Sequence, residues 1–287
     1  PQAVQATFTV CPDGPPTCDY ASIQVAVDAA SEWDLIKVAT GTYTDIHVRP
    51  RQDIVNTGTV TQVLYLDKSV IIEGGYTTSN WEDLYPETNL TTLDAAGQGR
   101  GIYITGANPE VRGLRITGGD ASGMGGEGFS GADAGGGIYV FGTALLRQNV
   151  VYGNTAEQGG GLFLEGSDAT VAGNIFTDNS AQGGGGIGIS ECGDDHIYLF
   201  ENEVAGNSAS GTGGGVNMDF CCGGERAPEL EHNTISGNNA PTGGGLTLFA
   251  CPAVLERNLI TLNTAGGCGG GILAMNEGDG TFYSTVI

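Results

Sequence analysis

The residues best suited to acid–base chemistry lie in one short stretch, SECGDDHIY, which contains Asp194, Asp195 and His196. Neighbouring carboxylates can share a proton or hold a cation. Acidic residues are also common in solvated turns, and we prefer this second interpretation. The chain's other histidines, His47 and His232, are far from His196 in the sequence, so we predict neither a metal site nor a cofactor.

Three aromatic residues occupy the same position in Gly–apolar–aromatic–apolar stretches: Tyr103, Tyr139 and Phe163. Sugar rings pack their C–H faces on aromatic rings, so this row is a candidate carbohydrate-binding platform. The alternative, which we favour, is an aromatic ladder that shields a sheet without any ligand. The glycine-rich insertion 118–134 is either a flexible flap over this face or, as we assume in the absence of other signals, a long surface loop without a specific role.

Six of the seven cysteines have spacings that predict disulfides. Cys11 and Cys18 are expected to close the loop CPDGPPTC. Three others lie eight residues after the first glycine of their triplets in the repeats described below, Cys192, Cys221 and Cys251, and Cys222 lies beside Cys221. We expect Cys192 to pair with Cys221 and the remaining two with each other, or the two middle cysteines to exchange partners, because adjacent coils bring Cα atoms within bridging distance. Cys268 is left over.

The elements that must position these side chains are sequence repeats 24 to 30 residues long. Each repeat begins with a glycine triplet, at Gly135, Gly159, Gly184, Gly213, Gly243 and Gly269. Between the triplets lie five pairs of asparagines, each pair five residues apart: Asn149 and Asn154, Asn174 and Asn179, Asn202 and Asn207, Asn233 and Asn238, Asn258 and Asn263. A period in the twenties with variable insertions is typical of a solenoid.

Apolar residues alternate after each triplet, as Ile138 and Val140 do, which predicts a β-strand. Two further apolar positions flank the first asparagine of each pair, as Leu146 and Val151 do, so each coil supplies three short strands. Stacked coils then form three parallel sheets around one narrow core. The predicted fold class is therefore all-β, a single-stranded parallel β-helix of about nine coils with a rise of about 4.8 Å per coil.

The asparagine rows are predicted to be architectural. Glycine and asparagine tolerate the left-handed backbone that sharp corners need. Stacked amides also hydrogen-bond to one another along the solenoid and so satisfy polar groups buried at the corners. We favour this interpretation over a row of asparagines that binds a ligand.

The N-terminal region predicts a cap for the solenoid. The alternation in QAVQATFTV indicates a strand, and SIQVAVDAA indicates an amphipathic helix with Ser22 as its N-cap. We therefore assign residues 1–34 to an N-terminal strand, a disulfide loop and a capping helix. Residues 35–287 form the parallel β-helix, with regular repeats from residue 135.

The composition excludes some classes of partner. The 33 acidic residues against 10 basic ones give a net charge of -23, which argues against nucleic acid or an anionic membrane as a partner. No apolar run approaches the length of a membrane span. The chain has neither an initiator Met nor a signal peptide, so we expect Pro1 to follow a processing cut. Together with the cysteines, this predicts an extracellular or cell-surface protein in an oxidising compartment.

The capping helix, the stretches IKVATGTY and SVIIEGGY, and the Asn/Gly coils resemble the right-handed β-helix proteins of the pectate-lyase-like superfamily. The repeats are similar in style to those of bacterial polymorphic outer-membrane-protein-like surface proteins, which combine Gly-Gly-Ala with Phe-x-x-Asn. Here the triplet is mostly Gly-Gly-Gly, and Phe-x-x-Asn occurs only from Phe176 to Asn179. The resemblance covers nearly the whole chain and implies a right-handed β-helix, but it implies no single activity.

Enzymatic motifs that the resemblance implies are missing from the sequence. A pectate lyase would carry an acid cluster for calcium beside an arginine base, yet none of Arg147, Arg226 and Arg257 shares a coil position with several acids. A polygalacturonase-like hydrolase would carry Gly-His-Gly and Arg-Ile-Lys motifs, and this chain has neither. We therefore assign no catalytic residue.

Three functional hypotheses remain open. The first is a non-enzymatic extracellular structural or surface protein, adhesin-like or the subunit of a fibre, with polysaccharide as a candidate partner. The second is a polysaccharide lyase or glycoside hydrolase with an unfamiliar site, and the third is a carbohydrate-binding module that uses the aromatic row.

Self-association is predicted from the two ends of the sequence. Phe282 and Ile287 take the inward places of Leu255 and Ile260, so the chain stops within a strand that has no polar cap. A neighbouring subunit can cover this coil, through the segment 2–10, and repetition of that contact gives a head-to-tail homopolymer. The alternative is that further coils follow in a longer gene product.

Overall fold

The protein is described by a computed structural model that covers residues 5–52, 57–128, 130–191, 196–220 and 227–275. In chain order its elements are β1 (Thr7–Val10), α1 (Ile23–Ala29), β2 (Leu35–Ala39), β3 (Gly41–Tyr43), β4 (His47–Pro50), β5 (Thr59–Leu66), β6 (Ile71–Tyr76), β7 (Thr91–Asp94), β8 (Arg100–Thr105), β9 (Glu110–Arg112), β10 (Arg115–Thr117), β11 (Ile138–Arg147), β12 (Val150–Tyr152), β13 (Leu162–Ala172), β14 (Ile175–Thr177), β15 (Ser180–Gly183), β16 (Ile187–Ser190), β17 (Ile197–Phe200), β18 (Glu203–Ala205), β19 (Ser208–Thr212), β20 (Val216–Asp219), β21 (Glu229–Glu231), β22 (Thr234–Ser236), β23 (Asn239–Ala240), β24 (Leu246–Phe249), β25 (Val254–Glu256), β26 (Leu259–Thr261), β27 (Thr264–Ala265) and β28 (Ile272–Met275).

The strands stack in parallel to form the faces of a solenoid, as predicted. The front face consists of β5, β8, β11, β13, β16, β20, β24 and β28, with β4 antiparallel to β5 at its edge. A second face, joined to the first through the long strands β11 and β13, consists of β1, β2, β6, β9, β17, β21 and β25 together with the ends of those two strands. The third face runs from β3 to β26. A short fourth sheet of β15, β19, β23 and β27 was not predicted as a separate element.

One column of apolar side chains fills the space between the faces. Residues in register on successive coils, such as Ile138, Leu162 and Ile187, are fully buried. The column extends from Val10 to Leu255. Because each apolar side chain packs against the coils above and below, the predicted alternation within each strand is what makes a core in this narrow rod.

The glycine triplets mark corners where consecutive coils come very close together. Gly159 has φ 59°, in the left-handed region. At the next residue, Gly160, an added Cβ would lie 2.4 Å from the carbonyl oxygen of Ser180. A side chain here would therefore push two coils apart, which explains why the sequence has glycine at this position.

Both rows of paired asparagines are continuously hydrogen-bonded, and all members are buried except the last of each row, Asn258 and Asn263, which are half-buried. In the middle of one row, Asn179 Oδ1 accepts from the backbone N–H of Asn154 at 3.1 Å and from its side-chain Nδ2 at 3.0 Å. Asn179 Nδ2 in turn donates to Asn207 Oδ1 at 3.1 Å and to the carbonyl of Val151 at 2.9 Å. Each amide thus satisfies backbone groups at a corner and the amide of the next coil.

The N-terminal region caps the solenoid and is continuous with it. Helix α1 lies over the core with Ala26 and Val27 buried. Ser22 occupies the N-cap position, as predicted, although its side chain makes no capping hydrogen bond. Strand β1 pairs with β2 of its own chain, from Thr7 to Val10. These four residues are therefore engaged within their own coil, which removes them from the predicted donated strand.

Only some of the predicted disulfides fall on described residues. Cys11 and Cys18 form a disulfide with a Cα–Cα distance of 6.0 Å. Cys192, Cys221 and Cys222 lie outside the described residues, and Cys251 is buried. The residues that carry the predicted open end, 276–287, are also outside the described part of the chain, as are residues 1–4.

Candidate functional site

The predicted aromatic row lies on the outer side of the front face and has four members. Tyr103, Tyr139 and Phe163 stack with centroid distances of 5.0 and 6.3 Å and nearly parallel rings. Tyr65, on β5, continues the stack at 5.5 Å from Tyr103. Tyr65 was not predicted as a member of the row, because the hairpin of β4 and β5 has no counterpart in the later repeats. The alternation of apolar residues in TQVLYL does indicate a strand here.

Two segments cover this row, so its rings are buried. The hairpin of β4 and β5 accepts a hydrogen bond from Tyr65 Oη at the carbonyl of Pro50. The insertion 118–134, called the cover loop below, accepts one from Tyr139 Oη at the carbonyl of Gly126, 2.9 Å away. Tyr103 and Tyr139 have no exposed surface and Phe163 has 2%. The rings therefore present no free face in this structure, as the favoured ladder interpretation expects, and their role as a carbohydrate platform stays a prediction. The insertion is neither a free flap nor an unattached surface loop.

A buried arginine fastens the cover loop to the aromatic row. The guanidinium of Arg100 lies 5.7 Å from the ring centroid of Tyr103 and 5.1 Å from that of Tyr139. Its Nε donates to the carbonyl of Ala134 at 2.8 Å. Cation–π contacts and hydrogen bonds to the loop backbone together compensate the burial of this charge.

Beyond Phe163 the outer side of the front face becomes polar. The row of Phe163 continues in register through Gly188 and Asn217 to Thr247. Two residues further along each strand, a second row contains Glu165, Ser190 and Asp219. We call five of these residues the polar patch: Glu165, Ser190, Asn217, Asp219 and Thr247.

Four residues of the polar patch are buried, and each has one oxygen atom without a hydrogen-bond partner among the described residues. Glu165, Ser190, Asn217 and Thr247 are each at most 3% exposed. Among the described residues, no partner contacts Glu165 Oε2, Ser190 Oγ, Asn217 Oδ1 or Thr247 Oγ1. Buried polar atoms in native proteins are normally paired, so a group of four unpaired atoms in one patch indicates a place for a ligand or ordered water.

The acids of the patch are held in different protonation states. Burial, strengthened by the nearby Glu191 and Glu127 carboxylates, raises the pKa of Glu165 to about 9, although the N–H of Gly128 opposes this by donating to Oε1 at 3.0 Å. Burial also raises the pKa of Asp219 to about 6; the hydrogen bond from Asn217 Nδ2 opposes this shift and the charge of Glu127 adds to it. At neutral pH Glu165 is therefore protonated and Asp219 ionised.

The SECGDDHIY stretch, for which a solvated turn was preferred over an acid–base pair, is described only in part. Asp194 and Asp195 lie outside the described residues. His196 lies on the second face, with Nε2 3.4 Å from Glu229 Oε1 and its ring stacked on Tyr198. Within the described part of the chain, no three His, Cys, Asp or Glu side chains are grouped to hold a metal ion.

The fold defines the class of protein, a parallel β-helix with two asparagine rows and a polar patch on one outer face. Residues 70–222 match the family model described as "Right handed beta helix region", just over half of the chain. The chain therefore belongs to the right-handed β-helix family. The similarity to polymorphic outer-membrane proteins stays a prediction.

Two other comparisons with known proteins give no information about activity. Among solved structures, the chain is similar to one titled "Crystal structure of pectate lyase Pel9A", with 14% identity over 98% of this chain and 79% of that chain and a TM-score of 0.49. A likeness of this degree says nothing about chemistry. No curated protein sequence matches the chain.

The helix within the described residues is neither long nor apolar enough to cross a membrane.

Proposed function

We propose that this chain is an extracellular or cell-surface β-helix that binds a glycan at the polar patch. The observation that carries the proposal is the group of four unpaired buried oxygen atoms. Sugars present closely spaced hydroxyl groups that donate and accept hydrogen bonds. Binding of such a ligand would satisfy atoms that a purely architectural solenoid has no reason to bury unpaired.

The composition supports the proposed location. The disulfide between Cys11 and Cys18 suits an oxidising compartment, and the net charge of -23 favours solubility over binding to anionic surfaces. Head-to-tail self-association remains a prediction.

A glycan array tests the binding proposal with one removed hydroxyl. Ser190→Ala is expected to reduce binding several-fold, because Ser190 lies in register between Glu165 and Asp219. Ser208→Ala is the matched control, since Ser208 is an exposed serine on β19. Equal binding by both variants and the wild type would contradict a site at the polar patch.

The alternative function is hydrolysis of a polysaccharide, favoured by the two pKa values of Glu165 and Asp219. A protonated carboxyl and an ionised one are the general acid and general base of an inverting glycosidase. The two residues are two coils apart in register, so their Cα atoms are separated by roughly 10 Å.

Release of new reducing ends, measured with and without calcium, tests hydrolysis. Glu165→Gln is expected to abolish the reaction, because glutamine occupies similar space but donates no proton to a leaving group. Glu203→Gln, at an exposed position of β18, controls for the lost carboxyl. Binding without any new reducing ends would leave the glycan-binding function alone.

A further inference from the structure

We propose that a cleft at the corner between the second and third faces binds a small carboxylate that has an apolar body. The cleft has a volume of about 390 Å³, in the range of small-molecule sites. We call it the corner cleft, and the argument uses six of its lining residues: Pro86, Glu87, Leu90, Arg115, Val150 and Ile175. This site goes beyond the glycan binding proposed above and does not depend on it, because the polar patch lies on the front face.

One wall of the corner cleft is a segment fixed to the coils beneath it. Residues 85–90 form this wall. Asn89 Nδ2 donates to the carbonyl of Gly75 at 3.0 Å. The carbonyl of Leu90 accepts from the backbone N–H of Gly41, also at 3.0 Å. The cleft therefore has its shape before any ligand arrives, so binding requires little ordering of the protein.

Apolar side chains lie on both walls of the corner cleft. Val150 and Ile175 are in register on β12 and β14, on the outer side of the third face. Their row continues through the polar residues Glu203 and Thr234, which do not line the cleft. On the opposite wall Leu90 is 42% exposed, and Ile175 is 37% exposed. Exposed apolar side chains that face one cleft from two sides favour a ligand with an apolar body.

Arg115 brings to the cleft a positive charge that has no acidic partner. Its guanidinium lies 4.8 Å from the ring centroid of Tyr152 and makes no hydrogen bond or ion pair with any described residue. Other arginines of this acidic protein are paired with carboxylates, as Arg49, Arg112 and Arg257 are. A cation–π contact uses the face of the guanidinium and leaves the N–H groups at its edge for an anion. A carboxylate accepts two such N–H groups side by side.

Glu87 limits the ligand to one anionic group. It is an exposed residue that also lines the cleft, and no described residue forms an ion pair with it. A second carboxylate on the ligand would be repelled by this side chain. An amine is attracted to Glu87, but water screens that exposed charge more strongly than the half-buried Arg115. The cleft therefore favours a monocarboxylate over both a dicarboxylate and an amine.

Ligand-observed NMR titrations with three probes of similar shape test the charge preference: 4-phenylbutyrate, its neutral amide and 4-phenylbutylamine. We expect the carboxylate to bind at least about tenfold more tightly than the amide, because a charge-assisted pair replaces a neutral contact. This preference opposes the net charge of -23, which attracts the amine to the whole surface. Equal binding of carboxylate and amide, tighter binding of the amine, or no binding of the carboxylate would overturn the proposal.

A pair of arginine variants assigns the charge preference to the corner cleft. Arg115→Gln should weaken binding of 4-phenylbutyrate about tenfold and leave the amide unchanged. Arg147→Gln is the matched control, since Arg147 is exposed in the next coil and does not line the cleft. It should leave both probes unchanged. Equal losses from the two variants would mean that the general field of the protein, and not Arg115, selects the carboxylate.

A second pair of variants tests the apolar wall. Ile175→Ser should weaken the carboxylate and the amide alike, because both probes lose the same apolar contact. Leu262→Ser, at a residue that is 82% exposed in a later coil, should change neither. Thermal unfolding checks that all four variants fold, as substitutions outside the core allow. An Ile175→Ser protein that folds and binds both probes like the wild type would exclude the corner cleft as the site.

Discussion

Two regions of this β-helix bury rows of polar side chains in register, but they differ in whether those side chains find hydrogen-bond partners within the protein. In the asparagine rows each interior amide is bonded on both sides, as Asn207 is to Asn179 and Asn238. In the polar patch, Glu165, Ser190 and Thr247 are as deeply buried, yet each has an unpaired oxygen among the described residues. The first arrangement stabilises the fold, whereas the second costs stability.

The difference separates architecture from function within one repeat. In both regions, polar residues occupy the same position of successive coils and so stack above one another. A row of identical amides closes its own hydrogen bonds, because asparagine carries donor and acceptor on one group. The patch changes residue type from coil to coil, so its members do not complement one another. Such local conflict is expected at a binding site, where a ligand supplies the missing partners.

Breaking the asparagine row should have the largest effect. Asn207→Ala removes an amide that accepts from Asn179 at 3.0 and 3.1 Å and donates to Asn238 and to the carbonyl of Phe176. Because the partners remain buried and unpaired, we expect the free energy of unfolding to fall by about 3–5 kcal/mol. Urea unfolding measures the change.

Asn239→Ala is the control for this variant, since Asn239 is exposed and follows directly after the row. It should cost less than about 0.5 kcal/mol. Comparable losses from the two substitutions would mean that asparagine stabilises the corners through its backbone preference and not through the row of bonded amides.

Replacing the buried acid of the patch should have an effect of intermediate size and opposite sign. The pKa of Glu165 is raised from 4.5 to about 9, so between these values the folded state holds a proton that the unfolded state releases. Stability is therefore greatest below about pH 4.5 and falls as the pH rises toward 9. Glu165→Gln stays neutral, and we expect it to be more stable than the wild type by about 2 kcal/mol at pH 6 and equal to it at pH 4, with the difference growing further as the pH rises.

Thermal unfolding as a function of pH measures this difference. Glu203→Gln, which removes an exposed carboxyl, should show no such divergence from the wild type. A wild-type stability that rises from pH 4 to pH 8 relative to Glu165→Gln would show that the ionised acid has partners, and the contrast between the two regions would then disappear.

Removing an unpaired hydroxyl should have the smallest effect. Thr247→Val keeps the shape of a side chain that is 1% exposed and deletes an oxygen without partners among the described residues. We expect the free energy of unfolding to stay the same or to rise by less than about 1 kcal/mol. Chemical denaturation checks the stability, and a loss above 1 kcal/mol would indicate that Thr247 is already paired in the folded protein.

The solenoid could be predicted because its signals are local and repeated. Glycine triplets, asparagine pairs and alternating apolar residues each recur with the coil, so their register follows from counting. The same counting placed Tyr103, Tyr139 and Phe163 in one stack. Their burial could not be predicted in this way, since it depends on how the cover loop and the hairpin of β4 and β5 lie across the sheet. Neither segment repeats.

The polar patch was missed although its register was visible. Glu165, Ser190 and Asp219 each lie six residues after the first glycine of their triplets. Ser190 lies between Glu165 and Asp219 at this position, so the sequence does not show an uninterrupted row of acids. The raised pKa values of the two acids come from burial, which depends on segments distant in sequence. Gly128 of the cover loop, for example, contacts Glu165, and no spacing within the repeat predicts that contact.

The amides of each asparagine row all point in one direction. From Asn149 to Asn258, each side-chain Nδ2 donates to the Oδ1 of the next coil toward the C-terminus. The side-chain dipoles therefore add head to tail, with the positive pole at the C-terminal coil, much as peptide dipoles add in a helix. Hydrogen bonds in such a column polarise one another, so each further coil strengthens those already present. The two ends of the solenoid are thus electrically distinct, although neither row contains a single formal charge.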